Sequence, residues 1–215
     1  MIIPKLHYIS QGESPQEHLN NIQKACTSGA ELVQLRLKNV SEKKILKIAM
    51  KAREITGHFQ TRLIINDYYK IAKEVKADGV HLGKKDTCPI EARKSLESWQ
   101  IIGGTANTLQ DCEALVTKGI DYIGLGPYRY TTTKENLSPV LGILGYQAIL
   151  DELKADTPII AIGGIVTEDV SEILKTGISG IAVSGEITRD FNKIGEFHNL
   201  LNTGSALEQR HSFEK

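Results

Sequence analysis

Leu63-Ile64-Ile65-Asn66-Asp67 and Gly79-Val80-His81-Leu82-Gly83-Lys84-Lys85-Asp86 are the stretches on which the fold turns. In each, a short apolar run stops at residues able to bind ions or substrates. The same grammar recurs in both directions along the chain. Val33-Gln34-Leu35-Arg36-Leu37-Lys38 precedes them; Ile101-Ile102-Gly103-Gly104 then meets Thr105. Tyr122-Ile123-Gly124-Leu125-Gly126-Pro127 opens a loop holding Thr131-Thr132-Thr133-Lys134. Ile159-Ile160-Ala161-Ile162 stops at Gly163-Gly164, and Ile181-Ala182-Val183 at Ser184-Gly185. Parallel sheets place chemistry at the carboxyl ends of their strands, so this repetition points to an α/β enzyme.

Eight strand-like runs lie near residues 6–9, 32–35, 62–65, 79–82, 101–104, 122–125, 159–162 and 180–183. They are rich in Ile, Val and Leu, as strands buried on both faces should be. Helical segments separate them. One runs through Leu19 to Cys26 and ends at Gly29; another starts at Ser41 and is expected to end before Gly57. Pro89 suits a first helical turn. Thr108 with Asp111 reads as an N-cap, and Asp169 to Lys175 reads as a further helix. Strand followed by helix, eight times, closes best as a single-domain (β/α)8 TIM barrel over residues 1–201. The competing open doubly wound sheet lacks its G-x-G-x-x-G after the first strand. The longest connection, 126–143, is expected to be a lid. The polar tail, 202–215, is expected to fray.

Composition narrows the function. With 215 residues, 40% hydrophobic and 24% charged, the chain has the profile of a soluble domain. A net charge of +0 argues against a nucleic-acid partner. No run approaches a membrane span, and the N-terminus lacks a signal-peptide pattern. Cys26, Cys88 and Cys112 show neither disulfide nor metal spacing, which fits the reducing cytoplasm. A homo-oligomer is left open.

The strand-end residues sort by chemistry. Gln34, Arg36 and Lys38 alternate with apolar neighbours and so share one strand face, spread over roughly 13 Å. That row suits an extended anionic ligand. The wet face of an antiparallel strand is the competing reading, and a parallel barrel has no wet strand face. Asn66-Asp67 and Asp86 leave adjacent strands about 4.8 Å apart. Both carboxylates can then reach one Mg²⁺, a hard ion that combines one or two carboxylates with substrate phosphates. Singly, each would read as a turn or surface residue. Gly163-Gly164 and Ser184-Gly185 follow strands seven and eight, the usual phosphate position in such barrels; glycine lets backbone N–H groups come close. Thr131, Thr133 and Lys134 could close over an anion, although such loops are commonly just solvated. His81 reads as a packed core histidine. No Ser-His-Asp or Cys-His set is legible, so cations and a metal, not a protein nucleophile, carry the chemistry.

Gln34-x-Arg36-x-Lys38, Asn66-Asp67, His81-Leu82-Gly83-x-x-Asp86, Gly126-Pro127…Thr131-x-Thr133-Lys134, Ile162-Gly163-Gly164-Ile165 and Val183-Ser184 resemble, in order and spacing, the thiamine-phosphate synthase family. The resemblance runs from the first strand to the eighth. It implies a (β/α)8 barrel that joins hydroxymethylpyrimidine diphosphate to thiazole phosphate, releasing diphosphate, with Mg²⁺ as cofactor. By position, Gln34 would contact the pyrimidine. Arg36, Lys38, Asn66 and Lys134 would hold the diphosphate, and Asp67 and Asp86 the Mg²⁺. Thr131, Thr133, Gly164, Val183 and Ser184 would hold the thiazole phosphate. The implied reaction is dissociative, with Arg36, Lys38, Thr105 and Lys134 as its catalytic set. Three places depart from the family pattern. After strand five, Thr105 and Asn107 stand where a Ser and a His are usual; strand one ends Ile9-Ser10-Gln11, where an acidic residue is more usual; and Tyr130 stands where a Pro is common. Asn107 also removes the His on which the related thiazole tautomerase relies. A tautomerase and a non-catalytic phosphate-binding barrel remain the alternatives.

Overall fold

The computed structural model describes residues 2–130 and 139–202. Among these the strands are β1 Leu6–Ile9, β2 Leu32–Leu35, β3 Arg62–Asn66, β4 Gly79–Leu82, β5 Ile101–Ala106, β6 Tyr122–Leu125, β7 Ile159–Ile162 and β8 Gly180–Val183. Each pairs in parallel with the next, and β8 closes on β1 through Leu6↔Ile181, His7↔Ala182 and Tyr8↔Val183. The expected eight-stranded (β/α)8 barrel is what forms, and β3 and β5 extend beyond their sequence-derived ends.

The helices are α1 Pro15–Thr27, α2 Glu42–His58, α3 Tyr69–Glu74, α4 Pro89–Ser95, α5 Leu109–Val116, α6 Gly142–Glu152, α7 Val170–Lys175, α8 Gly185–Arg189 and α9 Lys193–Leu200. Local chemistry sets several starts. The Ser14 hydroxyl accepts from Glu17 N at the head of α1, and Thr108 and Asp111 form a capping box on α5. Pro89 occupies the first turn of α4. Helix α2 does not stop before Gly57 as expected; it runs through it to His58, and the chain turns at Gln60, φ 54°. Gly57 faces open solvent. An exposed helix glycine costs only about 1 kcal/mol, less than the packing of the buried Ala52 and Thr56 face supplies. The segment from 169 to 175 also divides: Thr167–Asp169 is a 3-10 turn leading into α7.

Strand parity divides the core. Leu63 and Ile65 face the helices with Val33, Leu35, Val80, Ile22 and Phe197. Ile64 faces inward with Ile9, Leu32, Ile101, Tyr122, Ile160 and Ala182. Full burial of such a side chain is worth roughly 1.5–3 kcal/mol. The same parity carries the inward column upward. Leu32 is followed two residues on by Gln34, Ile64 by Asn66, and Ile101 by Gly103 and Thr105. The apolar plug is thereby roofed by a polar layer at the C-terminal mouth. The tail from 203 onward lies outside the described residues.

Candidate active site

The polar roof is hydrogen-bonded within itself. Gln34 Nε2 donates to Asn66 Oδ1 at 2.8 Å, with both residues buried. The Asn66 amide nitrogen, Nδ2, is a donor that is buried and has no acceptor among the described residues. A buried donor left that way costs about 1–3 kcal/mol, so an acceptor supplied by a ligand would remove a penalty already present in the fold. Across the barrel, His81 Nδ1 and the Tyr122 hydroxyl lie 2.9 Å apart. His81 Nε2 and Thr105 Oγ1 are also 2.9 Å apart.

At the rim, the ladder of β2 ends at Leu35, so Gln34, Arg36 and Lys38 do not form one extended strand face. The Arg36 amide leaves the sheet and donates to Ser10 Oγ at 3.1 Å, and Asn39, φ 57°, turns the chain. Burial falls along the row, with Gln34 buried, Arg36 half-buried and Lys38 exposed, while Leu35 and Leu37 between them are buried. Lys38 forms an ion pair with Asp67. Burial lowers the Arg36 guanidinium pKa, and the nearby Asp67 carboxylate opposes that shift.

Asp67 adopts φ 68°, and its amide donates to His81 O at 2.8 Å, which turns its side chain out of β3 at the level of β4. Asp86 accepts from Gly83 N at 2.7 Å. Partial burial, then a hydrogen bond to Asp67, pushes the Asp86 carboxyl above its ordinary range. The Asp86 residue as a whole stays exposed at the rim. Two carboxylates meeting at a rim is the oxygen-only donor set that a hard dication takes, with its remaining positions left to phosphate oxygens and water. The pair therefore fits Mg²⁺. No group of three or more His, Cys, Asp or Glu side chains gathers among the described residues, and a Mg²⁺ shared with substrate does not need one.

The other side of the mouth uses backbone. Gly163 and Gly164 have φ 107° and 69°, conformations that a Cβ disfavours. The loop after β6 lies against them: Tyr128 N donates to Ile162 O at 2.8 Å and Arg129 N to Gly163 O at 3.0 Å. Arg129 pairs with Asp169, whose other oxygen accepts from Val166 N at 2.9 Å. Val183 is buried at the end of β8, and Ser184 Oγ lies 3.4 Å from Gln11 Oε1. Asn107 donates its amide to Gly126 O. Thr131, Thr133 and Lys134, and with them the middle of the expected lid, lie outside the described residues.

Sequence reasoning overlooked two features. Ser10 Oγ and His18 Nδ1 stand 2.7 Å apart in a buried pair that supports the Arg36 backbone. Burial lowers the His18 pKa. Ser10, His18, Arg36 and Lys38 help line a cavity of about 280 Å³ beside the rim. The second feature is the link from His81 to Thr105, which a packed core histidine did not suggest. Its signal was present as Gly103 and Gly124, the glycines beneath the two rings.

Cations, paired carboxylates and a glycine turn at the C-terminal ends of a closed parallel barrel define a (β/α)8-barrel enzyme. Its relatives narrow the class. Residues 6–187 match the family model for thiamine monophosphate synthase, and the chain belongs to that family. It is 45% identical over 192 residues to a thiamine-phosphate synthase of Flavobacterium johnsoniae, covering 88% of this chain and 91% of that protein. A thiamine-phosphate synthase of Bacteroides fragilis is 41% identical over 92% of this chain and 98% of its own length. The solved thiamine phosphate pyrophosphorylase from Pyrococcus furiosus superposes with TM-score 0.76 at 27% identity, covering 92% of this chain and 95% of that one.

Proposed function

We propose that this barrel joins hydroxymethylpyrimidine diphosphate to thiazole phosphate, giving thiamine phosphate and diphosphate. The chain is a thiamine-phosphate synthase, a transferase of the pyrimidinylmethyl group. In our reading the bond from the methylene carbon to the diphosphate oxygen breaks first, and its electron pair leaves with diphosphate. The thiazole nitrogen lone pair then forms the new C–N bond.

One observation carries the site assignment: Arg36, Lys38, Asp67 and Asp86 converge on one arc of the mouth beside the buried Gln34–Asn66 pair. Gln34 and Asn66 would face the pyrimidine and its diphosphate. Arg36 and Lys38, with Lys134 from the loop, would take up the charge that grows on the departing oxygens, where stabilisation acts on the transition state more than on bound substrate. Asp67 and Asp86 would hold Mg²⁺, which when bound supplies further positive charge to the leaving group. Gly164, Val183 and Ser184, with Thr131 and Thr133, would hold the thiazole phosphate. Thr105 would orient the pyrimidine diphosphate from β5. The tautomerase alternative needs a base after β5, and the Asn107 amide there is bonded to Gly126 O.

No helix among the described residues is long and apolar enough to cross a membrane. Cys26, Cys88 and Cys112 are not joined in disulfides, which supports a cytoplasmic enzyme on small-molecule substrates. The deciding assay supplies both substrates and Mg²⁺ and measures diphosphate and thiamine phosphate together. Equal yields requiring all three components are expected. Diphosphate release with no thiamine phosphate, or no turnover at all, refutes the assignment.

A further inference from the structure

We propose that Tyr122 and His81 are positioning residues that fix the direction of the Thr105 hydroxyl proton, so that Thr105 donates to an acceptor lone pair of the bound pyrimidine diphosphate. The inference rests on the reading of Thr105 as a substrate contact and adds how that contact is oriented.

The chain of contacts starts in the inner core. Tyr122 is 2% exposed, and its hydroxyl has one hydrogen-bond partner among the described residues, His81 Nδ1 at 2.9 Å. Burial raises the phenol pKa, so the hydroxyl keeps its proton. A buried phenol proton needs an acceptor. His81 Nδ1 is that acceptor, and a ring accepting at Nδ1 carries its own proton on Nε2. Nε2–H then donates to Thr105 Oγ1 across 2.9 Å. A threonine hydroxyl that accepts this bond still has its own proton to give. Thr105 is half-buried at the mouth, so that proton is offered where substrate would lie.

The opposite orientation has a specific defect. If Nδ1–H donated to the Tyr122 oxygen, the phenol proton would be left in an apolar layer formed by Ile64, Ile101 and Ile160. The nearest polar ring, His7, meets Tyr122 edge-on at 5.0 Å, and its Nε2 is bonded to Pro4 O. Thr105 would then spend its proton on His81 Nε2 and present only lone pairs. The two orientations therefore predict opposite polarity at Thr105.

The space for this relay is built by two glycines. A Cβ on Gly103 would overlap the Tyr122 ring, and one on Gly124 would come within 3.0 Å of His81 Cε1. The Tyr122 ring lies over Gly103 of the neighbouring β5, and the His81 ring reaches past β5 to lie over Gly124 of β6, which keeps the three groups in line from β6 through β4 to β5.

Nitrogen-15 NMR of the His81 ring in the wild-type chain tests the orientation directly. An unprotonated Nδ1 and a protonated Nε2 are expected; the reverse tautomer overturns the proposal. Kinetics test its use. Tyr122→Phe removes the fixed donor and should lower kcat/KM for the pyrimidine diphosphate about tenfold, the worth of one directed hydrogen bond. In a Thr105→Val background the same change should have no further effect, and an undiminished tenfold loss there would show a merely structural role and overturn the inference. Should Tyr122→Phe misfold, the wild-type tautomer still decides. A wild-type chain with the expected tautomer but no synthase turnover would refute the substrate acceptor named here through failure of the synthase reading, while the tautomer result stands apart from it.

Discussion

The two arcs of the barrel mouth are made of different materials. From β2 to β5 the groups are side chains: Arg36, Lys38, Asp67 and Asp86 interact, and Gln34 and Asn66 form a buried pair beneath them. From β7 to β8 they are peptide units held by Gly163 and Gly164, with the Ser184 hydroxyl alongside. The contrast follows the chemistry assigned to each arc. A leaving group that gains charge is best met by full charges. A phosphate ester that keeps its charge throughout can be held by N–H dipoles, which need no counter-ion of their own.

The largest effect expected from breaking this contrast lies on the charged arc. Asp67→Asn and Asp86→Asn should each lower kcat by roughly 10²–10³, the cost of one preorganised electrostatic contact. The double variant should lose less than the product of the two, because both carboxylates serve one ion. Steady-state rates across a Mg²⁺ titration check this, and a wild-type rate for either variant removes the metal assignment.

Acid should next expose the layer beneath both arcs. Burial lowers the His7 pKa from 6.5 to about 3. Between those values the unfolded chain binds a proton that the folded chain refuses, so unfolding gains as pH falls. The His7 contribution is fully present above pH 6.5 and declines toward pH 3, by on the order of 5 kcal/mol. Urea midpoints against pH should fall less steeply over that window in His7→Gln. Parallel curves for the two proteins would show that His7 is not responsible.

Gly164→Ala sharpens the backbone arc. Its φ of 69° costs an alanine about 1–2 kcal/mol, and the new Cβ would meet the Arg129 stem. Stability should drop by about that amount, and KM should rise for thiazole phosphate while the KM for pyrimidine diphosphate holds. The smallest effect belongs to Ser184→Ala, which removes one hydroxyl from a site otherwise held by backbone. A few-fold rise in the thiazole phosphate KM is expected, about 0.5–1.5 kcal/mol. A hundredfold rise would mean that side chains dominate this arc too.

Much of this was legible in the sequence because strand ends and helix starts are local signals. Gly163-Gly164, Pro89 and the Thr108–Asp111 box sit in the structure as the chain pattern implies. Asp67 and Asp86 meet because adjacent parallel strands bring their ends together. The failures were non-local. Alternation at Gln34, Arg36 and Lys38 could not show that the ladder ends at Leu35, since the Arg36 amide finds its partner in Ser10, just past the end of β1. His81 looked inert because its partners, Thr105 and Tyr122, lie on β5 and β6. Gly57 misled because a helix tolerates one exposed glycine when its other face is packed.

The seam between β1 and β8 has a consequence for biosynthesis. Val183 and Ser184, assigned to phosphate, stand where the last strand meets the first, with Tyr8 opposite Val183. Of the eight strands, a ribosome delivers Leu6–Ile9 first and Gly180–Val183 last. Until that final strand emerges, β1 and β7 are open edges with unpaired amides, the kind of surface that invites wrong pairing. A nascent chain arrested before Gly180 would therefore be inactive and also adhesive, and chaperone demand should fall once Gly180–Val183 has emerged.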